Sequence, residues 1–389
     1  MGNCFMSKGA RRLSESKRKE LTGNLLLFSM FTLETIYLYS ASSIALFICG
    51  IPGIITLFLY VLKDKGPFRL LMIGIAVGIV ALVTINRILI LNCGWSGCLR
   101  IVFISLPIAC LLCNVHIDRR AALLFFYGVF VYTVIMIALA DPAQLYRIFA
   151  ASSRNYISVL LIACLFPYYL ACERDRAEVS VFPALLSLPV SIYVQSRGGM
   201  IASGILYVLT LVREIYLGTA KGAFKDRRRL ICFLISLVIL FAVVLITVNR
   251  SNIYLSRFSG VEEYPITRLD MWKEYMTVTV SSAKNTILGT PLMTCPLITA
   301  EAYNIHNAYL MTHSYMGIAG LVAVIAGEIG YLALCFRRKH YDLLFLSIAF
   351  LARAMTDYLF PMLFCDCIVL FMMIKTGMGM MRADDEYQK

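Results

Sequence analysis

Long apolar runs recur along the whole chain, separated by short stretches that carry most of the charged residues. A helix needs roughly 20 apolar residues to cross the hydrocarbon core of a bilayer. The pattern therefore predicts a helical membrane protein. We expect twelve spans, at approximately 21–39, 42–62, 69–86, 101–116, 121–140, 155–172, 179–195, 198–216, 229–248, 314–336, 342–360 and 361–378.

These spans predict an all-α fold, a polytopic membrane helix bundle of about twelve spans. A basic stretch before the first apolar run, with no small-residue cleavage site after it, indicates an uncleaved first span. The long loop before the tenth span is expected to form a small periplasmic cap. The predicted order is a basic N-terminal segment, spans one to nine, the long loop, spans ten to twelve and a tail: 1–20, 21–248, 249–313, 314–378 and 379–389.

Composition agrees with this class. Hydrophobic residues make up 60% of the 389 positions and charged residues 15%, whereas a soluble domain usually carries about 25% charged residues. Most of the thirteen cysteines lie inside apolar runs, where cysteine acts as a small hydrophobic residue. Cys93 and Cys98 share one short loop and can form a disulfide if that loop faces an oxidising compartment.

The basic residues predict the orientation. With the N-terminus in the cytoplasm, the loops on that side and the C-terminal end hold 25 of the 36 Lys and Arg residues, as expected because cytoplasmic loops are rich in them. The C-terminus is then cytoplasmic too. The clusters are scattered over short loops without interleaved aromatic residues, so we expect no nucleic acid partner.

The opposite face is rich in arginine. Nine of its eleven basic residues, counting those in spans near it, are Arg. A guanidinium group presents a planar fork of donors that suits phosphate and stays charged when partly buried. The bias suggests an anionic ligand at this face; the alternative is that each Arg reaches from a helix end to the lipid headgroups.

Charged residues within the apolar runs include Glu34, Glu328, Arg353, Asp357 and Asp366. Charges in a bilayer are costly and usually face the bundle interior. Arg353 and Asp357 are four residues apart and can pair along one helix face. The set can line a substrate groove or mark the ion path of a transporter.

The long loop contains two recognisable stretches. Residues 267–281, TRLDMWKEYMTVTVS, mix charged and apolar positions as an amphipathic helix does. His306 and Asn307 come just before the tenth apolar run, where an imidazole can meet a lipid-borne substrate. We expect His313, two helical turns further on, at the membrane interface. His306 and His313 lack a third ligand at a convincing spacing, so no metal site is expected.

Four short motifs, in this order, resemble the O-antigen ligase and polymerase superfamily of bacterial envelope polysaccharide assembly. They are Ser196-Arg197-Gly198-Gly199 at a tight turn between two spans, Arg268 with Trp272, Leu288-Gly289, and His306-Asn307 followed by Leu310 and Gly317-x-x-Gly320. The motif matches run from about 196 to 320, and the remaining spans fit by topology alone.

The resemblance implies a metal-independent glycosyltransferase of the bacterial inner membrane, without a cofactor and with a periplasmic active face. The donor would be a glycan on undecaprenyl diphosphate, and the acceptor a lipid A-core sugar or a growing glycan. His306 is then the expected general base. Arg197 and Arg268 would bind the diphosphate, with Arg154 as an auxiliary contact. Asn307, Ser196 and Trp272 would support them.

Two alternatives remain open. Ligase and polymerase share these motifs, and we lean to an O-antigen ligase of lipopolysaccharide biosynthesis because the match is to the ligase-type domain. A secondary transporter or lipid-linked oligosaccharide flippase is the competing class. It predicts internal repeats with broken helices in matching positions, and no half-to-half similarity is evident in the sequence.

Overall fold

The computed structural model describes residues 2–63, 66–91, 94–140, 148–151, 153–194, 196–220, 230–231, 234–235, 237–238, 267–300 and 304–387. Within these ranges the fold is helical and contains no strand. The all-helical prediction is therefore confirmed for the described part of the chain.

Helices account for most of the described residues. In chain order they are α1 Gly2–Ser40, α2 Ser43–Leu62, α3 Pro67–Leu89, α4 Trp95–Asn114, α5 Arg119–Leu139, α6 Tyr156–Arg174, α7 Val181–Tyr193, α8 Arg197–Ala220, α9 Arg268–Val280, α10 Ala283–Leu288, α11 Pro296–Ala300, α12 Ala308–Arg337, α13 Tyr341–Ala354 and α14 Asp366–Tyr387.

Eight of the described helices are long and apolar enough to cross a membrane: α1 from Lys17, α2 to α6, α8 to Leu217, and α12. They match eight predicted spans, and the chain is a multi-pass membrane protein. The seventh predicted span corresponds to the shorter apolar helix α7. The ninth, 229–248, lies mostly outside the described residues, so the count of twelve stays a prediction.

The last two predicted spans differ from the structure at the point where they were expected to meet. The eleventh, 342–360, was expected to stay helical to its end, but α13 stops at Ala354. Residues 357–365 are non-helical, and α14 begins only at Asp366. This break creates a connecting segment, 355–365, that contributes to the candidate site.

Contacts between loops identify the two ends of the bundle. At one end, which we name the His116 end, His116 lies 3.4 Å from Asp175 and His340 lies 3.2 Å from Glu173. At the other, the His306 end, a side-chain nitrogen of Arg353 lies 3.2 Å from the carbonyl oxygen of Asn155. Loops predicted on the same face thus lie together.

The centre of the bundle is α6. Every residue from Tyr156 to Cys172 is buried in it, although its composition is that of a membrane span. It packs against α5, α7, α8 and α13. Since α6 is surrounded by protein, its first turn at the His306 end can support a site from the inside.

Helix α12 is not one straight span. The hydroxyl of Tyr309 donates to Oε2 of Glu328 at 3.0 Å, across 19 positions. An uninterrupted helix would separate these residues by about 28 Å, so the helix folds back on itself. The bend is at Gly317, whose φ of 67° and ψ of −171° are not helical, a conformation almost confined to glycine.

Residues 267–300 form a helical insert that precedes α12. Helices α9 and α11, with the turn between α10 and α11, share a small apolar core with the start of α12, made by Met271, Tyr275, Leu292, Cys295, Ile298, Ile305 and Met311. The backbone carbonyl of Ile287 approaches Gly317 so closely that a Cβ there would come within 2.4 Å of it. The insert is therefore locked onto the bend of α12.

Candidate active site

His306 lies between the insert and α12, one residue before the N-cap of α12. Its φ of 53° is left-handed, a region that few residues other than glycine adopt, although histidine, asparagine and aspartate are enriched there. Oδ1 of Asn304 accepts its backbone N–H at 2.8 Å and thereby supports this turn. About 22% of the imidazole side chain is exposed, so the ring is held firmly but can still be reached by a ligand.

The imidazole is paired with Asp357, in the segment after α13. Nδ1 of His306 lies 3.2 Å from Oδ1 of Asp357, and Oδ2 of the same carboxylate accepts from Arg353 at 2.6 Å. Arg353 is wholly buried and Asp357 nearly so. The pairing of Arg353 with Asp357 is confirmed, although Asp357 lies beyond the helix end rather than on the expected helix face.

The Asp357 carboxylate determines which ring nitrogen of His306 carries the hydrogen. An ionised carboxylate only accepts hydrogen bonds, so Nδ1 of His306 carries a hydrogen in this pair. The other ring nitrogen, Nε2, makes no hydrogen bond within the described part of the chain. In the neutral ring, Nε2 then holds the lone pair and is the nitrogen able to take a proton.

Helix α9 brings a cation to the same place. Thr267 and Asp270 form a capping box at its start, so Arg268 stands in the first turn with a defined direction. Arg268 donates to the carbonyl oxygen of Thr356. Burial lowers the pKa of Arg268, Asp357 opposes that effect, and the charges of Arg353 and Arg197 add to it. These groups are therefore electrostatic neighbours.

The Ser-Arg-Gly-Gly turn reaches the site through its glycines. Ser196 is buried, and its hydroxyl accepts from the N–H of Gly199 at 3.3 Å, capping α8. A Cβ on Gly198 would come within 2.8 Å of a guanidinium nitrogen of Arg353. This close approach places the turn that carries the exposed Arg197 against Arg353, the partner of Asp357.

The connecting segment after α13 is held from three sides. Asn307 caps α12 by accepting from the N–H groups of Tyr309 and Leu310, and its amide donates to the carbonyl of Met355 at 3.1 Å. The hydroxyl of Tyr156, in the first turn of α6, donates to the carbonyl of Tyr358 at 2.7 Å. The position of Asp357 is thus fixed by its backbone as well as by Arg353.

Trp272 and Arg154 have different relations to this site. The indole N–H of Trp272 donates to the carbonyl of Ile305 at 2.8 Å, so the ring braces the residue before His306. Arg154 lies in the turn before α6, next to Asn155, whose carbonyl accepts from Arg353. The expected contact of Arg154 with a ligand stays a prediction.

A deep apolar cavity of about 500 Å³ lies between α3, α12 and α14. Its wall includes Phe360 and Pro361, which closely follow Asp357, and Thr312, which is six residues after His306. The ring of Phe360 also packs edge-on against Tyr309, with 5.7 Å between the ring centroids. The cavity therefore lies among the same segments that build the polar site.

Sequence reasoning identified His306, Asn307, Arg197, Arg268, Ser196 and Trp272, and the structure brings the segments that carry them together. It did not place Asp357 and Arg353 in the site, although both were noted as embedded charges. The expected position of His313 at the membrane interface stays a prediction. That ring is buried, with Nδ1 2.7 Å from the hydroxyl of Tyr275 and Nε2 2.9 Å from the carbonyl of Thr286, because it fastens the insert to α12. Of the candidate disulfide pair, Cys93 lies outside the described residues.

Comparison of the chain with protein-family models, with curated proteins and with solved structures gives no match.

Proposed function

We propose that this protein is a metal-independent membrane glycosyltransferase, which moves a glycan from undecaprenyl diphosphate to a sugar hydroxyl. The favoured reaction is that of an O-antigen ligase acting on the lipid A core at the periplasmic face of a bacterial inner membrane. The N- and C-termini are then cytoplasmic. The observation that carries the proposal is the His306–Asp357 pair, set among arginines at one end of an apolar bundle.

The pair suits activation of a hydroxyl. Attack by a sugar hydroxyl on the anomeric carbon requires removal of its proton, and Nε2 of His306 is the accepting atom. Asp357 keeps the hydrogen on Nδ1 and stabilises the imidazolium that forms. The new bond joins the acceptor oxygen to the anomeric carbon, and the bond from that carbon to the diphosphate oxygen breaks.

The arginines suit the leaving group. Negative charge grows on the prenyl diphosphate as its bond to the sugar breaks, and preorganised cations in a partly buried site stabilise such charge strongly. Arg268 and Arg197 are the proposed contacts of the diphosphate, and Arg154 is an auxiliary contact. Arg353 is wholly buried and bound to Asp357, so its part is to hold that carboxylate.

The apolar cavity suits the lipid tail. A prenyl chain carries no polar group beyond its diphosphate, and it needs an apolar path out of the site. The cavity is lined almost entirely by apolar side chains and lies beside helix α3, whose outer surface is itself largely exposed and apolar. The tail would lie between α3 and α12 while the diphosphate faces the arginines.

The test is a transfer assay with purified protein in nanodiscs and a metal chelator present. It supplies an undecaprenyl-diphosphate-linked glycan with either a lipid A-core acceptor or a second donor molecule. Glycan on the core establishes a ligase, and chain growth on the prenyl lipid establishes a polymerase. Absence of both products, with intact donor and folded protein, overturns the proposal.

One observation favours a second function, a transporter or lipid-linked oligosaccharide flippase. Helix α12 is broken at Gly317, and discontinuous helices are typical of transporters. Buried ion pairs such as Glu34 with Arg100, 2.5 Å apart, also occur along ion paths. Movement of the intact donor across a proteoliposome membrane, without transfer, would select this function.

A further inference from the structure

A second cavity, which is polar, lies at the His116 end of the bundle, opposite the end that carries His306. Its volume is about 580 Å³, and it lies between the ends of α6 and α12, the start of α13 and one face of α8. Charged groups and tyrosines line it together, including Glu173, Arg176, Arg213, Lys339 and Asp342. Nothing in the proposed transfer reaction uses it.

The charges of this cavity are only partly paired. Arg213 binds Asp342 at 2.7 Å, and Glu173 faces His340 at 3.2 Å. Arg176 and Lys339 are exposed and form no ion pair within the described ranges. Two cations thus remain available at the mouth, while the carboxylates are occupied by the other basic groups.

Both cations stand at backbone positions where glycine is the usual residue. Arg176 has a φ of 51° and Lys339 a φ of 61°. Each follows a helix end that is closed by a backbone hydrogen bond spanning five positions. The N–H of Ala177 donates to the carbonyl of Cys172, and the N–H of His340 donates to the carbonyl of Cys335. Glycine is strongly preferred at this left-handed position. Arg176 and Lys339 both occupy it in spite of its strain, and both line the same cavity.

The attraction of cations for helix C-termini explains part of this pattern. It does not require the left-handed position, since a cation one turn earlier would serve the helix equally well. The cavity is also flanked by Tyr216 and Tyr341, which are 59% and 41% exposed. Tyrosine is enriched where a membrane protein meets the headgroup layer, and basic pockets between helices at that level bind anionic lipid headgroups.

We propose that this cavity binds a phosphate group through Arg176 and Lys339, with the phosphate carried by an anionic phospholipid or present as the free ion. The Arg213–Asp342 pair forms the wall behind it. A phosphodiester headgroup fits the arrangement because its charge meets the two cations while its glycerol backbone lies against Tyr216 and Tyr341.

The test uses the double variant Arg176→Gly with Lys339→Gly in the full chain. Glycine is favoured at both positions, so the variant keeps its fold while losing both cations, and a thermal unfolding curve verifies this. Arg338→Ala is the matched control, because Arg338 is an exposed cation next to Lys339 that does not line the cavity.

Native mass spectrometry of the detergent-solubilised protein counts bound phosphatidylglycerol and phosphatidylcholine during a titration. We expect phosphatidylglycerol binding roughly 30-fold weaker in the double variant and little changed in the control. Displacement of phosphatidylglycerol from the wild type by inorganic phosphate would identify the ion itself as a ligand of the site. Equal phosphatidylglycerol affinity in the wild type and double variant, or an equal loss in Arg338→Ala, overturns the proposal.

Discussion

Nδ1 of His306 lies 3.2 Å from Oδ1 of Asp357, across 51 positions of the sequence. The pair joins the residues just before α12 to the segment after α13, and these two segments are far apart in the sequence. A histidine oriented by a buried carboxylate, with its second nitrogen available, is suited to proton transfer. The first prediction follows from this pair.

Asp357→Asn is expected to lower the rate of glycan transfer by about 10²–10⁴, close to the loss in His306→Ala, because a positioned base contributes that much. The amide can donate to Nδ1 and favour the wrong tautomer. Single-turnover transfer in nanodiscs measures the change. Asp118→Asn, an N-cap change at the other end of the bundle, is the control. Full activity in Asp357→Asn would remove the carboxylate from the mechanism.

Arg353→Ala is expected to destabilise the protein by about 3–5 kcal/mol, because it leaves the buried Asp357 charge uncompensated. The double variant Arg353→Ala with Asp357→Ala should recover part of that loss. Thermal unfolding of the wild type, both single variants and the double variant in one detergent measures the coupling. Strictly additive effects would mean that the 2.6 Å contact has no energetic role.

Gly317→Ala is expected to disrupt the insert and the bend of α12. The backbone conformation at Gly317 costs a residue with a Cβ about 1–3 kcal/mol, and that Cβ would also strike the carbonyl of Ile287. Gly50→Ala is the matched control, because a Cβ at Gly50 meets nothing within 4 Å. Limited proteolysis of the insert and thermal unfolding compare the two. Equal behaviour would argue against a tight bend at Gly317.

Asn307→Asp is expected to separate two roles of one side chain. Aspartate still caps α12, but it loses the donor to the carbonyl of Met355 and brings a negative charge towards that oxygen. We expect near-normal stability with reduced transfer, whereas Asn307→Ala should lose about 0.5–2 kcal/mol of stability as well. Parallel unfolding and transfer measurements test this. A stability loss in Asn307→Asp equal to that in Asn307→Ala would contradict it.

The positions of most helices could be predicted because hydropathy and loop charge are local properties. The loop contacts at the His116 end follow from the same alternation. The two ends of the connecting segment could not be predicted in this way. Residues 342–360 are mostly apolar around Arg353 and Asp357. The hydrogen bonds from Asn307, Arg268 and Tyr156 explain why the chain leaves the helix after Ala354.

The partner of His306 was missed for the same physical reason. A contact across 51 positions depends on where α12 bends, and the only sequence signal for that bend is Gly317 in a Gly-x-x-Gly stretch. The partners of His313 could not be predicted, because an imidazole near a helix mouth gives no indication of its tertiary contacts. Tyr275 and Thr286, which hold it, lie in helices whose packing the local pattern does not specify.

The order of the chain has a consequence for biogenesis. The ribosome makes His306 well before Asp357, and α12 and α13 must both be inserted before the segment containing Asp357 can reach the imidazole. Until then, His306 has no acceptor for Nδ1, and the carbonyl of Thr356 is absent for Arg268. A nascent chain therefore cannot form the His306–Asp357 pair until α13 and the segment after it have been made.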